Sequence, residues 1–150
     1  MVGPSKISRK CRYGLRAIFE LALRGTSEPV KIQDIASSQA IPQRFLEIIL
    51  SELKHGGFVE SRRGSNGGYL LARSADDLTV GDIIRFLQGS NKKIDRTAYH
   101  SRKYRGDYVF SRLWNEVSQA ISSVYDSTTF AAMICEELEH SQAYAANYAI

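Results

Sequence analysis

The chain has 150 residues, 43% hydrophobic and 24% charged, with two cysteines; this is the composition of a folded domain and excludes a disordered tail or a disulfide scaffold. No stretch approaches the roughly 18 apolar residues of a membrane span and no N-terminal run reads as a signal peptide, so the expected setting is cytoplasmic, without a membrane partner. The net charge is +4, but through Arg73 twelve Lys and Arg stand against six Asp and Glu, whereas the remainder carries eight against ten; a polyanion would meet the N-terminal half, unless this is only a solvated basic face.

Residues 8–24 read as a first helix, with Leu15, Ile18, Leu21 and Ala22 on one apolar stripe. The run Gly25-Thr26-Ser27-Glu28-Pro29 breaks it. A short helix over 32–39 follows, with Ile32, Ile35 and Ala36 inward. Ala40-Ile41-Pro42 is a tight turn, and Pro42 suits the first turn of a third helix because its missing N–H is unneeded there. That helix runs to about His55. Its residues Phe45, Leu46, Ile49, Leu50 and Leu53 are expected on one side, leaving Gln43, Arg44, Glu47 and Ser51 on the other.

Gly56-Gly57 is a helix stop. Two strand-like runs, 58–61 and 68–71, flank a basic connection in which Asn66-Gly67 signals a hairpin turn. Two short helices joined by a tight turn, then a basic-tipped hairpin, is the winged helix-turn-helix order. Thr79-Val80-Gly81-Asp82 reads as a capping box opening a helix through Leu87, with Ile83, Ile84 and Leu87 inward. Residues 89–110 are polar and basic without periodicity and read as a loop. A helix returns over 111–126, where Leu113, Val117, Ala120, Ile121 and Val124 form a narrow seam suited to packing on another helix. Ser127 or Thr128 is placed to cap a last helix holding Phe130, Met133, Ile134 and Leu138. The expected fold is mostly α: a winged helix-turn-helix DNA-binding domain over 1–88 (wing 58–71), a basic flexible loop over 89–110, and a dimerisation helix plus C-terminal helix over 111–150.

The stretches KISRKCRYGLRAI, RFLEIILSELKHGGFVESRRGSNGGYLLAR and LTVGDIIRFLQG, continued by LWNEV and DSTTF, resemble the Rrf2 family of bacterial transcription regulators. The resemblance covers nearly the whole chain except the loop after Gly89. It implies a homodimer whose long helices cross, with two winged heads on a pseudo-palindromic site, acting as a repressor in sulfur, cysteine or redox metabolism. In such a head the third helix offers its first side chains to base edges: Arg44 suits guanine or a phosphate, Gln43 adenine and Glu47 a cytosine amino group. The resemblance makes Glu47 a base-reading carboxylate; the alternative is a solvent-facing residue paired with Lys54 or Arg44. Arg62 and Arg63 suit a narrow minor groove, with Arg63 the inserting residue by resemblance, and Gly64, Gly67 and Gly68 let the backbone turn toward phosphates. The alternative is a pair of solvated arginines. Ser8, Arg9, Lys10, Arg12 and Tyr13 place hydroxyls and cations at the start of the first helix, where N–H groups also attract phosphate.

Cluster-binding members of the family carry three cysteines in the loop before the long helix. Here 89–110 offers His100, three tyrosines and two aspartates but no thiol, so no cysteine-ligated iron–sulfur cluster and no metal site are expected, as in the family's cluster-lacking, cysteine-metabolism branch. Lys10 and Arg12 beside Cys11 would lower its thiol pKa and favour redox modification or, less readily, cluster ligation; an ordinary unreactive thiol is the reading preferred over both. Cys135, beside Met133 and Ile134, reads as buried. His55 suits a helix C-terminus and His140 an exposed position. The terminal Ile150 resembles, in that branch, a tail captured by cysteine synthase; a frayed end is the alternative. No GxSxG, P-loop, HExxH or paired CxxC is present, so no catalytic residue and no enzyme is expected.

Overall fold

The computed structural model describes residues 7–25, 27–89 and 104–148. Its elements are α1 (Arg9–Arg24), α2 (Ile32–Gln39), α3 (Gln43–His55), β1 (Val59–Arg62), β2 (Gly68–Leu71), α4 (Val80–Gln88), α5 (Asp107–Ser127) and α6 (Phe130–Tyr148). The strands pair antiparallel with Val59 opposite Leu71 and Arg62 opposite Gly68. Local chemistry sets most boundaries. The Ser8 hydroxyl accepts the Cys11 N–H and caps α1. Thr79 and Asp82 exchange side-chain and backbone bonds in a capping box at α4. At the end of α3 the Phe58 N–H reaches the Leu53 carbonyl and the Gly57 N–H that of Lys54; Gly57, at φ 72°, occupies the left-handed position this motif requires.

The core lies where α1, α3 and α4 meet. Ile18, Ile35, Leu46, Leu50, Leu53, Leu78 and Ile83 are fully buried there. Phe130, the first residue of α6, is also fully buried in this core; burial of a phenylalanine is worth roughly 1.5–3 kcal/mol and anchors the last helix to the head. Backbone bonds Val80 to Thr128 and Phe130 to Leu78 tie the same junction down, and Arg85 of α4 bridges Asp82 and Asp126. The other edge of β2 is held near the turn, because Val30 and Tyr69 exchange both backbone hydrogen bonds at 2.9 Å. Gly68 makes that approach possible: at φ 154°, a Cβ there would collide with the Val30 carbonyl.

Several local expectations are corrected. The long helix starts at Asp107 rather than 111, since Gly106 turns left-handed and the Asp107 carboxylate accepts the Tyr104 N–H at 2.9 Å. Thr129, not Ser127 or Thr128, caps α6 by accepting the Ala132 N–H; the Ser127 and Thr128 hydroxyls instead donate to the Val124 carbonyl. Asn66 and Gly67 do lie in the hairpin turn, as the third and fourth of its residues. The turn is closed by Gly67 N–H to Gly64 C=O, and five residues separate the strands. Phe58 is buried but precedes the ladder. Phe45 is 42% exposed, because Leu46, Ile49, Leu50 and Leu53 already complete the inward stripe of α3. Cys135 is exposed on α6 rather than buried. Among the described residues no helix is long and apolar enough to cross a membrane.

Candidate nucleic-acid interface

The outward side of α3 is built by subtraction. Once the apolar stripe is seated, a 3.6-residue helix must turn Arg44, Ile48 and Ser51 farthest from the core, with Gln43 and Glu47 on one flank and Phe45 and Glu52 on the other. All but the half-buried Glu52 are exposed. The Gln43 amide donates to Glu47 Oε1 at 3.2 Å, so Glu47 is paired with neither Lys54 nor Arg44. Arg44 lies over the Phe45 ring, 4.8 Å from its centroid; stacking restrains the guanidinium while leaving its in-plane donors free to face outward.

Contacts at the two flanks join α3 to its neighbours. On the Gln43–Glu47 flank, Lys54 donates to the Ser61 hydroxyl on β1 at 2.5 Å. On the other, Lys10 of α1 pairs with Glu52 at 2.5 Å. The start of α1, the outward side of α3 and the hairpin are thereby linked in series. The Lys10–Glu52 pair is 42% and 40% exposed; such a pair contributes about 0–1 kcal/mol, so a phosphate competes readily for the ammonium.

Arg62 and Arg63 are exposed at the hairpin, and among the described residues neither is held in an ion pair. Gly67 is half-buried in the closing turn. Beside the hairpin an open groove is lined by Lys31, Gln33, Ser61, Arg62, Arg63 and Tyr69. Lys31 and Gln33, at the start of α2, belong to this surface although the sequence reading passed over them; the cue was a lysine just ahead of a helix N-terminus. Arg9 and Arg12 are exposed on α1, while Tyr13 is half-buried against the core and Ser8 is engaged as the cap.

Cys11 does not have the lowered thiol pKa that its cationic neighbours suggested. It is fully buried, and burial pushes its thiol up to about 11 against the smaller opposing pull of Lys10. Lys10 extends to Glu52 while the next residue turns into the core, so burial of the thiol outweighs the charge beside it in sequence. The expected lowered pKa is overturned. His55 ends α3 with Nδ1 2.8 Å from the Ser51 carbonyl, and His140 is exposed. Of the seam residues, Leu113, Val117 and Val124 are 45%, 37% and 62% exposed and Ile121 is half-buried. Ile150, and most of the 89–110 loop including His100, lie outside the described residues.

A helix-turn-helix with a basic wing and an exposed apolar helix beyond it invites comparison with known regulators. Residues 7–136 match the family model Rrf2, described as "Iron-dependent Transcriptional regulator". The chain belongs to the Rrf2 family. It is 36% identical over 124 residues to the HTH-type transcriptional regulator CymR of Bacillus subtilis, spanning 83% of this chain and 86% of that one. The structure of CymR, titled the global cysteine regulator of B. subtilis, superposes with a TM-score of 0.77 at 33% identity, covering 91% of this chain and 98% of the other. That of T. potens IscR superposes with a TM-score of 0.73 at 37% identity, covering 88% of each. The winged helix-turn-helix architecture is therefore shared, and this Rrf2-family chain is a DNA-binding transcription regulator, not an enzyme.

The family description raises the question of iron. A cluster needs several thiolates, commonly four protein ligands. This Rrf2-family chain has two cysteines in all, one on α1 with a buried, raised thiol and one on α6. Among the described residues no three His, Cys, Asp or Glu side chains converge as metal ligands. Two thiols per chain fall short of the four that an all-cysteine cluster uses.

Proposed function

We propose that the chain binds a pseudo-palindromic operator as a homodimer and represses transcription from the cytoplasm, without an iron–sulfur cofactor, in sulfur or cysteine metabolism. The observation that carries the reading is the series linkage of α1, α3 and the hairpin through Lys10–Glu52 and Lys54–Ser61, which offers a helix and a two-arginine wing to one duplex. In this arrangement α3 enters the major groove. Glu47, oriented by Gln43, accepts from a cytosine amino group, and Arg44, braced on Phe45, donates to guanine or to a phosphate. Arg63 enters the flanking minor groove beside Arg62, and the close-packed Gly67 turn keeps the wing narrow. Ser8, Arg9, Lys10, Arg12 and Tyr13 line the approach to the backbone, where cations set register rather than sequence.

The exposed α5 seam of Leu113, Val117, Ile121 and Val124 supports dimerisation, since a water-facing apolar stripe on a long helix is stabilised when a second copy covers it. The cysteine link rests on the relative titled a global cysteine regulator. Capture of the terminal Ile150 by cysteine synthase belongs to the same reading and is tested by mixing that enzyme with the chain with and without Ile150. Footprinting on the DNA upstream of the chain's own coding region tests the main proposal. A two-fold symmetric footprint is expected, and no protection at physiological salt would refute it. Anaerobically purified protein is expected to lack visible absorbance and stoichiometric iron.

A further inference from the structure

On the outward side of α3 an apolar side chain, Ile48, stands among Arg44, Glu47 and Ser51, one turn after Phe45. Ile48 is 58% exposed, more so than Phe45 at 42%. It is not needed to seat the helix, because Leu46, Leu50 and Leu53 are fully buried and Ile49 is 3% exposed. Phe45 is covered on one side by Arg44. Ile48 instead stands among the side chains farthest from the core, one turn after Arg44, one turn before Ser51 and next to Glu47.

The occupant follows from size and surroundings. A protein partner requires an apolar patch of some few hundred Å², whereas Ile48, bordered by Arg44, Glu47, Ser51 and Glu52 and on one side by a Phe45 ring that Arg44 partly covers, offers a contact the size of one methyl or two. The major groove displays one such group among its donors and acceptors, the C5-methyl of thymine. We infer that Ile48 is a specificity-determining residue that packs on a thymine methyl in each half-site, beside the base pairs that Arg44 and Glu47 address. The inference rests on the proposed seating of α3 in the major groove. It adds an A·T requirement to a surface whose charged side chains favour G·C.

The test uses the full-length chain and duplexes that it selects from a randomised library. Each thymine in the selected site is replaced singly by deoxyuridine, which removes the methyl and keeps base pairing. One thymine per half-site is expected at which the replacement weakens binding about fourfold, the effect of one methyl leaving an apolar contact. Ile48→Ala should bind the thymine and deoxyuridine duplexes alike, and Ile48→Val should keep part of the preference. Both variants change an exposed position and leave the core intact. Indifference of the unaltered chain to every replacement overturns the assignment, as does an undiminished methyl preference in Ile48→Ala or a selected site lacking thymine beneath α3. Failure to select any duplex removes the groove-seated reading itself, and the Ile48 assignment with it.

Discussion

Gln39, the last residue of α2, donates its side-chain amide at 2.8 Å to the buried carboxylate of Glu20 on α1. Arg24 donates to the other carboxylate oxygen at 2.7 Å and Arg16 donates to the side-chain Oε1 of Gln39, so the end of α2 is fixed to α1 immediately before Ala40 turns left-handed and launches α3. Burial alone would raise the Glu20 carboxyl; the bonds from Gln39 and Arg24, with the charge of Arg24, outweigh it and hold the group below its ordinary 4.5. Because the folded value is the lower one, the stability it contributes is present above that ordinary value and lost as pH falls through the folded value. Glu20→Gln should cost about 1–3 kcal/mol at pH 7. In urea unfolding its deficit against the unaltered chain should shrink as pH falls below 4.5. A deficit unchanged into strong acid would show that the charge is not what matters.

The hairpin gives an electrostatic prediction. Arg63→Ala should weaken operator binding by about 1–3 kcal/mol and reduce the slope of log affinity against log salt by about one. Gel shifts at several salt concentrations measure both. An unaltered affinity at physiological salt would take the wing out of the interface.

Cys11 should be chemically silent. With a thiol near 11, its thiolate fraction at pH 8 is about one in a thousand, and burial denies access besides. Native-state alkylation followed by mass spectrometry should label the exposed Cys135 well before Cys11, with Cys11 reacting only in denaturant. Prompt labelling of Cys11 would reinstate a redox role.

Dimerisation should be sensitive at the α5 seam. Val124 is 62% exposed in the isolated chain, so Val124→Asp leaves the head untouched and places a charge where a second helix would pack. Sedimentation is expected to shift from dimer toward monomer, with operator affinity falling in parallel. A Val124→Asp protein of unchanged mass and affinity would move the interface elsewhere.

Legibility followed the range of the interaction. The bounds of α2 and the Thr79–Asp82 capping box match the sequence reading because each depends on residues within one turn of each other. The readings that failed involved a competitor farther away or a choice among near neighbours. Phe45 is apolar, but only one stripe fits against α1, and the i, i+3, i+4, i+7 set starting at Leu46 took it. Thr129, rather than either residue before it, caps α6 because the Thr79–Thr129 bridge sets where α5 must end.

Local sequence, read alone, determined the order of helices and strands, the polar residues on the outward side of α3, the basic hairpin and the shortage of thiols, since periodicity, glycine placement and residue counts require no fold. Tertiary packing decided which side chains those elements release to solvent. It buried Cys11 beside a lysine that reaches instead to Glu52, drew Lys10 and Ser61 to the flanks of α3, and left Ile48 standing in water. The physical reason is that burial is a competition among residues distant in the chain for a core of limited volume, and its outcome exists only once the helices have met.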